Sequence, residues 1–314
     1  MKLMFRTSLI VLLVTALTGA SLAAPLGSSV RPAIPAEVQQ LICVDYRALK
    51  NSDTAQQLKE QVLPDNLKQF ETALKGAGIN TDRDVDELTF ISYRNAKHSV
   101  EVVGAAQGVF PTKAVLAKLR LHKIRPVKYH NADVYPMASG MEMTFLDEST
   151  LLFGEGNALR GALDARDGYV TTLDSNPDIA NLIGDVEGGS VWSVLDQKGT
   201  QNMLLSALGD ASKLADYDSV KKRILGSRYT MNFQNGVNFD LDVITSDTVT
   251  AATLSSLVKA GVLYRRMTAS PVEKSALEDV SVDSDSSKLQ MHFKADDKQF
   301  QSLIHTSLFE AVSR

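Results

Sequence analysis

The sequence predicts an α+β protein made of two tandem, similar modules, each an antiparallel sheet with helices packed on one face. Stretches of period-two alternation are interleaved along the whole chain with stretches whose apolar residues recur every three or four positions, so strands and helices share both halves. The strands come mostly as neighbouring pairs separated by turn residues, which makes hairpins rather than parallel crossovers. The order of elements after Ser190 also repeats the order after Glu37.

The first module, 38–171, opens with a strand over 42–46, and Ala55, Leu58 and Val62 then mark one helix face. Pro64 and Asp65 start a second helix with Leu67, Phe70 and Leu74 inward, stopped by Gly76 or Gly78. Strands at 88–93 and 100–103 follow, and Thr112 is placed to cap a helix carrying Val115, Leu116 and Leu119. Strands at 132–135, 141–145 and 151–153 and a helix over 157–165 close the unit.

The second module, 190–314, repeats this order. A strand around Trp192 leads to a helix at 203–208, a strand pair at 229–233 and 237–243, a helix from Thr250 toward Leu263, and a hairpin of 280–282 with 289–293. A last helix presents Phe300, Leu303, Ile304, Leu308 and Val312 on one face. Cys43 to Trp192 and Val102 to Phe239 set a repeat of roughly 140 residues, with the connecting segment at 172–189. In the 229–243 hairpin, a two-residue Asn235-Gly236 loop would set Phe233 opposite Asn238 and scramble the faces. A three-residue loop with Gly236 left-handed pairs 233 with 237, keeps the apolar set together and leaves Asn238, Asp240 and Asp242 on a wet face.

The chain begins MKLMFRTSLIVLLVTALTGASLAAP, in which Lys2 and Arg6 precede a short apolar run and small residues. That order is a secretory signal peptide over 1–23, cleaved after Ala23, because cleavage after Ala24 would leave Pro25 first. Residues 24–37 read as an N-terminal linker, and no later stretch has the ~20 apolar residues of a membrane span. The expected product is exported, periplasmic or secreted. With 33 basic against 37 acidic residues, and Lys2 and Arg6 lost with the leader, the chain offers nucleic acid no general attraction. One cysteine, Cys43, cannot form an internal disulfide, so a hydrophobic core must stabilise the fold. Cys43 reads as a buried strand residue.

Several patterns touch chemistry and fall short of it. Gly154, Gly156 and Gly161 form G-x-G-x-x-x-x-G, not a dinucleotide fingerprint, and Glu155 would repel a pyrophosphate. Asp82, Asp84 and Asp86 start like a calcium loop but lack the glycine at its sixth position and the glutamate at its twelfth, as does Asp283-Ser284-Asp285. Both read as solvated turns. His98, His122, His130, His292 and His305 show no paired-ligand spacing. Ser256 with Lys259, and Ser219 with Lys222, fit SxxK without its companion motifs. No catalytic residue, metal ligand or cofactor is assigned.

One segment stands apart. In 113–130, KAVLAKLRLHKIRPVKYH, the cations Lys113, Lys118, Arg120, Lys123, Arg125 and Lys128 occur without an acid in a net-negative chain. Gathered on one side they would make an anion-binding site for envelope polysaccharide, lipid phosphate or an acidic partner; as a solvated helix face they would only cover core edges. With no metal cluster, catalytic triad or cofactor loop in the sequence, the protein reads as a non-catalytic binding or structural factor. A hydrolase whose groups meet only in the fold is the other functional reading.

The chain also resembles a group of exported bacterial proteins of unknown function. The resemblance rests on Pro35-Ala36-Glu37 before a strand bearing Asp45, Asp82-Arg83-Asp84-Val85-Asp86 ahead of a hairpin, and Phe145-Leu146-Asp147 through Phe153-Gly154. Gly161-Ala162-Leu163-Asp164-Ala165-Arg166-Asp167 and the Trp192 strand add to it. It implies a tandem α+β fold in the cell envelope and carries no catalytic residue with it.

Overall fold

The computed structural model describes residues 25–62, 65–186, 188–208, 217–234 and 236–303. The expected leader and the end of the final helix, with Ile304, Leu308 and Val312, lie outside them. The first half contains β1 (Val38–Asp45), α1 (Tyr46–Lys50), α2 (Asp53–Val62), α3 (Asp65–Ala77), α4 (Thr81–Asp84), β2 (Val85–Arg94) and β3 (Val100–Gly108). It continues with α5 (Thr112–Leu121), β4 (Val127–Tyr129), β5 (Ala132–Pro136), β6 (Met141–Phe145), β7 (Thr150–Glu155) and α6 (Gly156–Arg166). After α7 (Pro177–Gly184), the second half runs β8 (Val191–Asp196), α8 (Gln197–Leu208), α9 (Tyr217–Lys221), β9 (Ile224–Asn232) and β10 (Val237–Thr245). It ends with α10 (Thr248–Thr268), α11 (Pro271–Glu278), β11 (Val280–Asp285), β12 (Lys288–Ala295) and α12 (Asp297–Leu303).

The twelve strands among the described residues join one antiparallel sheet in the order β11-β12-β10-β9-β8-β1-β2-β3-β7-β6-β5-β4. The halves meet at β1 and β8, where Cys43 lies opposite Trp192 and Gln40 opposite Leu195. Outward from that seam both sides begin alike, with a hairpin, then a strand that returns later in the chain, then its own hairpin partner, and β5 and β4 extend the first side beyond this.

One sheet face is covered along its length. Leu74 of α3 and Val115 and Leu119 of α5 pack on Leu88, Ala106 and Leu151. Leu204 of α8 and Leu254 and Leu257 of α10 pack on Leu241 and Val243. Among the described residues, the opposite face is covered over the first half and the seam, where Leu159 and Leu163 of α6 and Ile179 and Ile183 of α7 meet Cys43, Ile91 and Trp192. Beyond the seam it is polar, with Arg228 bonded to Asp242 at 2.8 Å and His292 to Asp240 at 2.7 Å. The single covered face expected from sequence therefore describes the second half, while α6 and α7 add a layer to the first.

The 229–243 hairpin has the expected register, with Asn238 opposite Asn232 and Phe239 opposite Met231. Gly236 takes φ +101°, and a Cβ there would lie 2.2 Å from the carbonyl of Ala295, so both turn and close approach require glycine. Other expectations shift. β1 ends at Asp45, because its carboxylate accepts from the amides of Arg47 and Ala48 and starts α1. Thr112 is the first residue inside α5, which has no side-chain cap. Segments read as linkers join the core: Leu26, Val30, Ala33 and Ile34 are buried beside Leu173, Ile179 and Ile183. Backbone bonds from Ala36 to Thr171 and from Leu173 to Ile34 tie the two segments together.

Candidate functional site

The basic segment spans α5, the turn after it and β4, on the sheet edge farthest from the second half. At about 100° per residue, Lys113 and Arg120 share one side of α5 roughly 10 Å apart, while Lys118 lies about 140° away from Lys113. Its stem crosses the end of α3, with its Cδ 3.4 Å from the position of a Cβ on Gly78. α5 stops where Lys123 takes φ +59° and the Ile124 amide reaches the Leu119 carbonyl at 2.9 Å. Glycine usually fills that position, so Lys123 holds a cation there against backbone cost. Lys113, Arg120, Lys123 and Arg125 are exposed and Lys118 is half-buried. Lys128 pairs with Asp133 at 3.0 Å. The six cations therefore wrap an edge rather than fill one pocket.

The segment's last residues make a second arrangement on the other sheet face. The turn between β4 and β5 has His130 at φ +49°, with Tyr129 opposite Ala132. His130 Nε2 and the Tyr129 hydroxyl both lie 2.8 Å from Oδ1 of Asp164 on α6. The His130 ring stacks on Tyr169 at 4.1 Å and 15°, and Arg160 sits over the Tyr129 ring while binding Glu142 at 3.0 Å. Burial, then the acceptor Asp164, raises the Tyr129 phenol pKa and keeps it a donor. Sequence reading missed this cluster because its members come from a three-residue strand, a helix end and the loop after it. The available signals were Gly168-Tyr169 as a helix stop and His130-Asn131 as a turn between short apolar stretches.

The third arrangement is buried. Cys43 has no exposed surface, and Thr89 Oγ1 donates to its sulfur at 3.6 Å. Burial and then the charge of Glu87 hold the thiol well above its ordinary pKa, so it is an inert core group. Arg47, on α1, is not aligned with it along the strand and instead sits 3.7 Å from Asp45. Glu87 lies opposite Asp45 and is itself buried. Its pKa rises to about 7, chiefly through burial and with help from the Asp45 charge.

The remaining motifs are structural. Asp84 is buried, accepts two bonds from Arg83 and one from the Asn80 amide, and is thus a fixed turn rather than a solvated one. Ser256 donates to Ala252 in its own helix and Lys259 pairs with Asp283 at 3.3 Å, so they form no dyad. Gly161 makes room for Tyr93, whose hydroxyl donates to Ala158 at 2.8 Å. No group of three or more histidines, cysteines and acids among the described residues is arranged to hold a metal ion.

No family model matches the chain, and no curated protein matches it. Solved structures do. Crystal form I of TP0453 superposes with a TM-score of 0.50 at 8% identity, covering 92% of this chain and 99% of that one. Crystal form IV of the same protein gives a TM-score of 0.47 at 10% identity over 90% and 97%. At such identity the form I match shows a shared α+β fold.

Proposed function

We propose that this chain is an exported, non-catalytic binding or structural factor of the cell envelope that engages an anionic component through Lys113, Lys118, Arg120, Lys123 and Arg125, with Lys128 at the rim. The observation that carries this is local density: six cations fall within 113–128 with no acid between them. Arg31, Arg94 and Arg228 elsewhere lie against carboxylates, and among the described residues none of the first five cations of the segment does, a state it shares with scattered lysines such as Lys97, Lys198 and Lys288. Unpaired cations clustered in a net-negative chain make a local positive field, which selects anions without general attraction to nucleic acid. The leader-like 1–23 supports export, and no helix among the described residues is long and apolar enough to cross a membrane. The repeated order about β1 and β8 supports the reading of two copied modules.

A hydrolase would find its best material in Asp45 and Glu87, a carboxylate beside a carboxyl held protonated near neutrality. Both side chains are buried among Cys43 and Thr89, which favours a core role.

The test compares the mature chain with a variant carrying Lys118→Gln, Arg120→Gln, Lys123→Gln and Arg125→Gln on polygalacturonate resin and on extracted envelope material. The wild type is expected to be retained and the variant to elute early. Equal retention of both removes the proposal.

A further inference from the structure

The end of α6 and the β4–β5 turn hold an aromatic surface that the basic segment does not use. Tyr169 follows Gly168, at φ +81°, and its amide binds the Asp164 carbonyl at 2.8 Å, which fixes its backbone to the helix end. A side chain at this position ordinarily folds back on the last helical turn. Tyr169 instead stands 66% exposed, with one ring face on His130 and the rest open beside Val170, itself 46% exposed.

His130 occupies a backbone conformation that glycine normally fills. Such a conformation persists where surroundings over-determine it, and it clusters at binding sites. The contacts that hold it are those of this surface: Asp164 at 2.8 Å, the Tyr129 ring at 4.3 Å and the Tyr169 ring at 4.1 Å. The carboxylate of Asp164 is partly open to solvent, whereas both oxygens of Asp167 are held by Arg166, at 2.7 and 2.9 Å.

We propose that Tyr169, His130 and Asp164 form a saccharide-binding platform, taking the C–H face of a pyranose ring on Tyr169 and a hydroxyl on Asp164, whose side chain is 27% exposed. A pyranose offers one flat apolar face and a belt of groups that both donate and accept, which matches an open aromatic ring with a carboxylate beside its stacked neighbour. A nucleotide would also stack, but its phosphates would meet Asp164. An apolar peptide side chain would bring Asp164 no donor. A tyrosine held by its backbone and a stacked neighbour gives contact area with little ordering cost, the condition for useful affinity from a small surface. The platform lies across the sheet from α5, so it stands or falls separately from the anion site.

The experiment is an NMR titration of the mature protein with the neutral sugars cellohexaose, chitohexaose and maltohexaose, with saturation-transfer detection on the sugar. At least one is expected to bind with Kd of about 1 mM or tighter, Tyr169→Ala to weaken it about tenfold or more, and Tyr169→Phe to keep it within about threefold. Tyr169 is exposed, so far-UV circular dichroism and cooperative urea unfolding should be kept by both substitutions. Absence of binding by all three sugars up to about 10 mM overturns the proposal, as does undiminished binding by a folded Tyr169→Ala protein.

Discussion

Replacing Glu87 by glutamine should stabilise the protein at pH 8 and leave its stability at pH 4 nearly unchanged. Glu87 lies opposite Asp45, buried, and hydrogen-bonded to Thr89. Burial and Asp45 raise its pKa to about 7, against a reference of 4.5. The folded state therefore holds one more proton than the unfolded state between those values. Stability contributed by the protonated carboxyl is complete below pH ~4.5 and is lost as pH rises through about 7. A difference of about 2.5 pKa units at ~1.4 kcal/mol each makes the ionised group cost about 3 kcal/mol above pH 8. Glutamine keeps the shape and a hydrogen-bonding end without the charge. Urea unfolding of both proteins from pH 4 to 8 measures the difference, in which the other titrating groups cancel. It should grow from near zero to about 3 kcal/mol in favour of Glu87→Gln, with its midpoint between pH 5 and 7. A difference that stays flat across that range, or grows toward acid, refutes the placement of Glu87 in a desolvated site beside Asp45.

Cys43→Ala should cost at most about 2 kcal/mol, as a small core deletion, and the native thiol should label far more slowly at pH 7 than the unfolded one; equal rates would show that β1 is open there. Lys123→Gly should stabilise by about 1 kcal/mol, because glycine accepts the left-handed turn, while reducing retention on anionic resin; a loss of stability would contradict the α5 terminus. Ser270→Ala, which removes the side-chain half of the capping box with Glu273, should cost about 1 kcal/mol in urea unfolding and loosen the start of α11. N-terminal sequencing of protein from its native compartment should begin at Ala24, and intact Met1 in a membrane pellet would overturn the export reading.

Elements with a strong period were legible in the sequence. The 229–243 hairpin disclosed even its register, since Phe233 and Val237 can share a face only across a three-residue loop. α3, β6 and α6 fell close to their observed bounds for the same reason. Elements governed by a single contact were hidden. Asp45 ends β1 by capping α1, which alternation alone cannot signal. α7 was read as connector, although Ile179 and Ile183 are four apart and Asn176-Pro177 marks a helix start; the Pro, Asp and Gly around it masked that pattern. Of the candidate sites, the basic segment was visible as composition, but its wrapping of an edge was not, since Lys118 and Lys113 point apart. The Tyr129, His130, Asp164 and Tyr169 cluster needs β4 to fold against α6, a long-range contact with no local signature.

The central claim, that unpaired cations on α5 and its following turn recruit an anionic envelope component, is tested most directly by the salt dependence of binding to polygalacturonate. A field from exposed charges is screened over ~8 Å at physiological ionic strength, so affinity should fall steeply between about 20 and 300 mM salt. The account predicts that slope for the wild type and a shallow one, with weaker binding at low salt, for the variant with glutamine at 118, 120, 123 and 125. Equal slopes and equal affinities for the two proteins would contradict it.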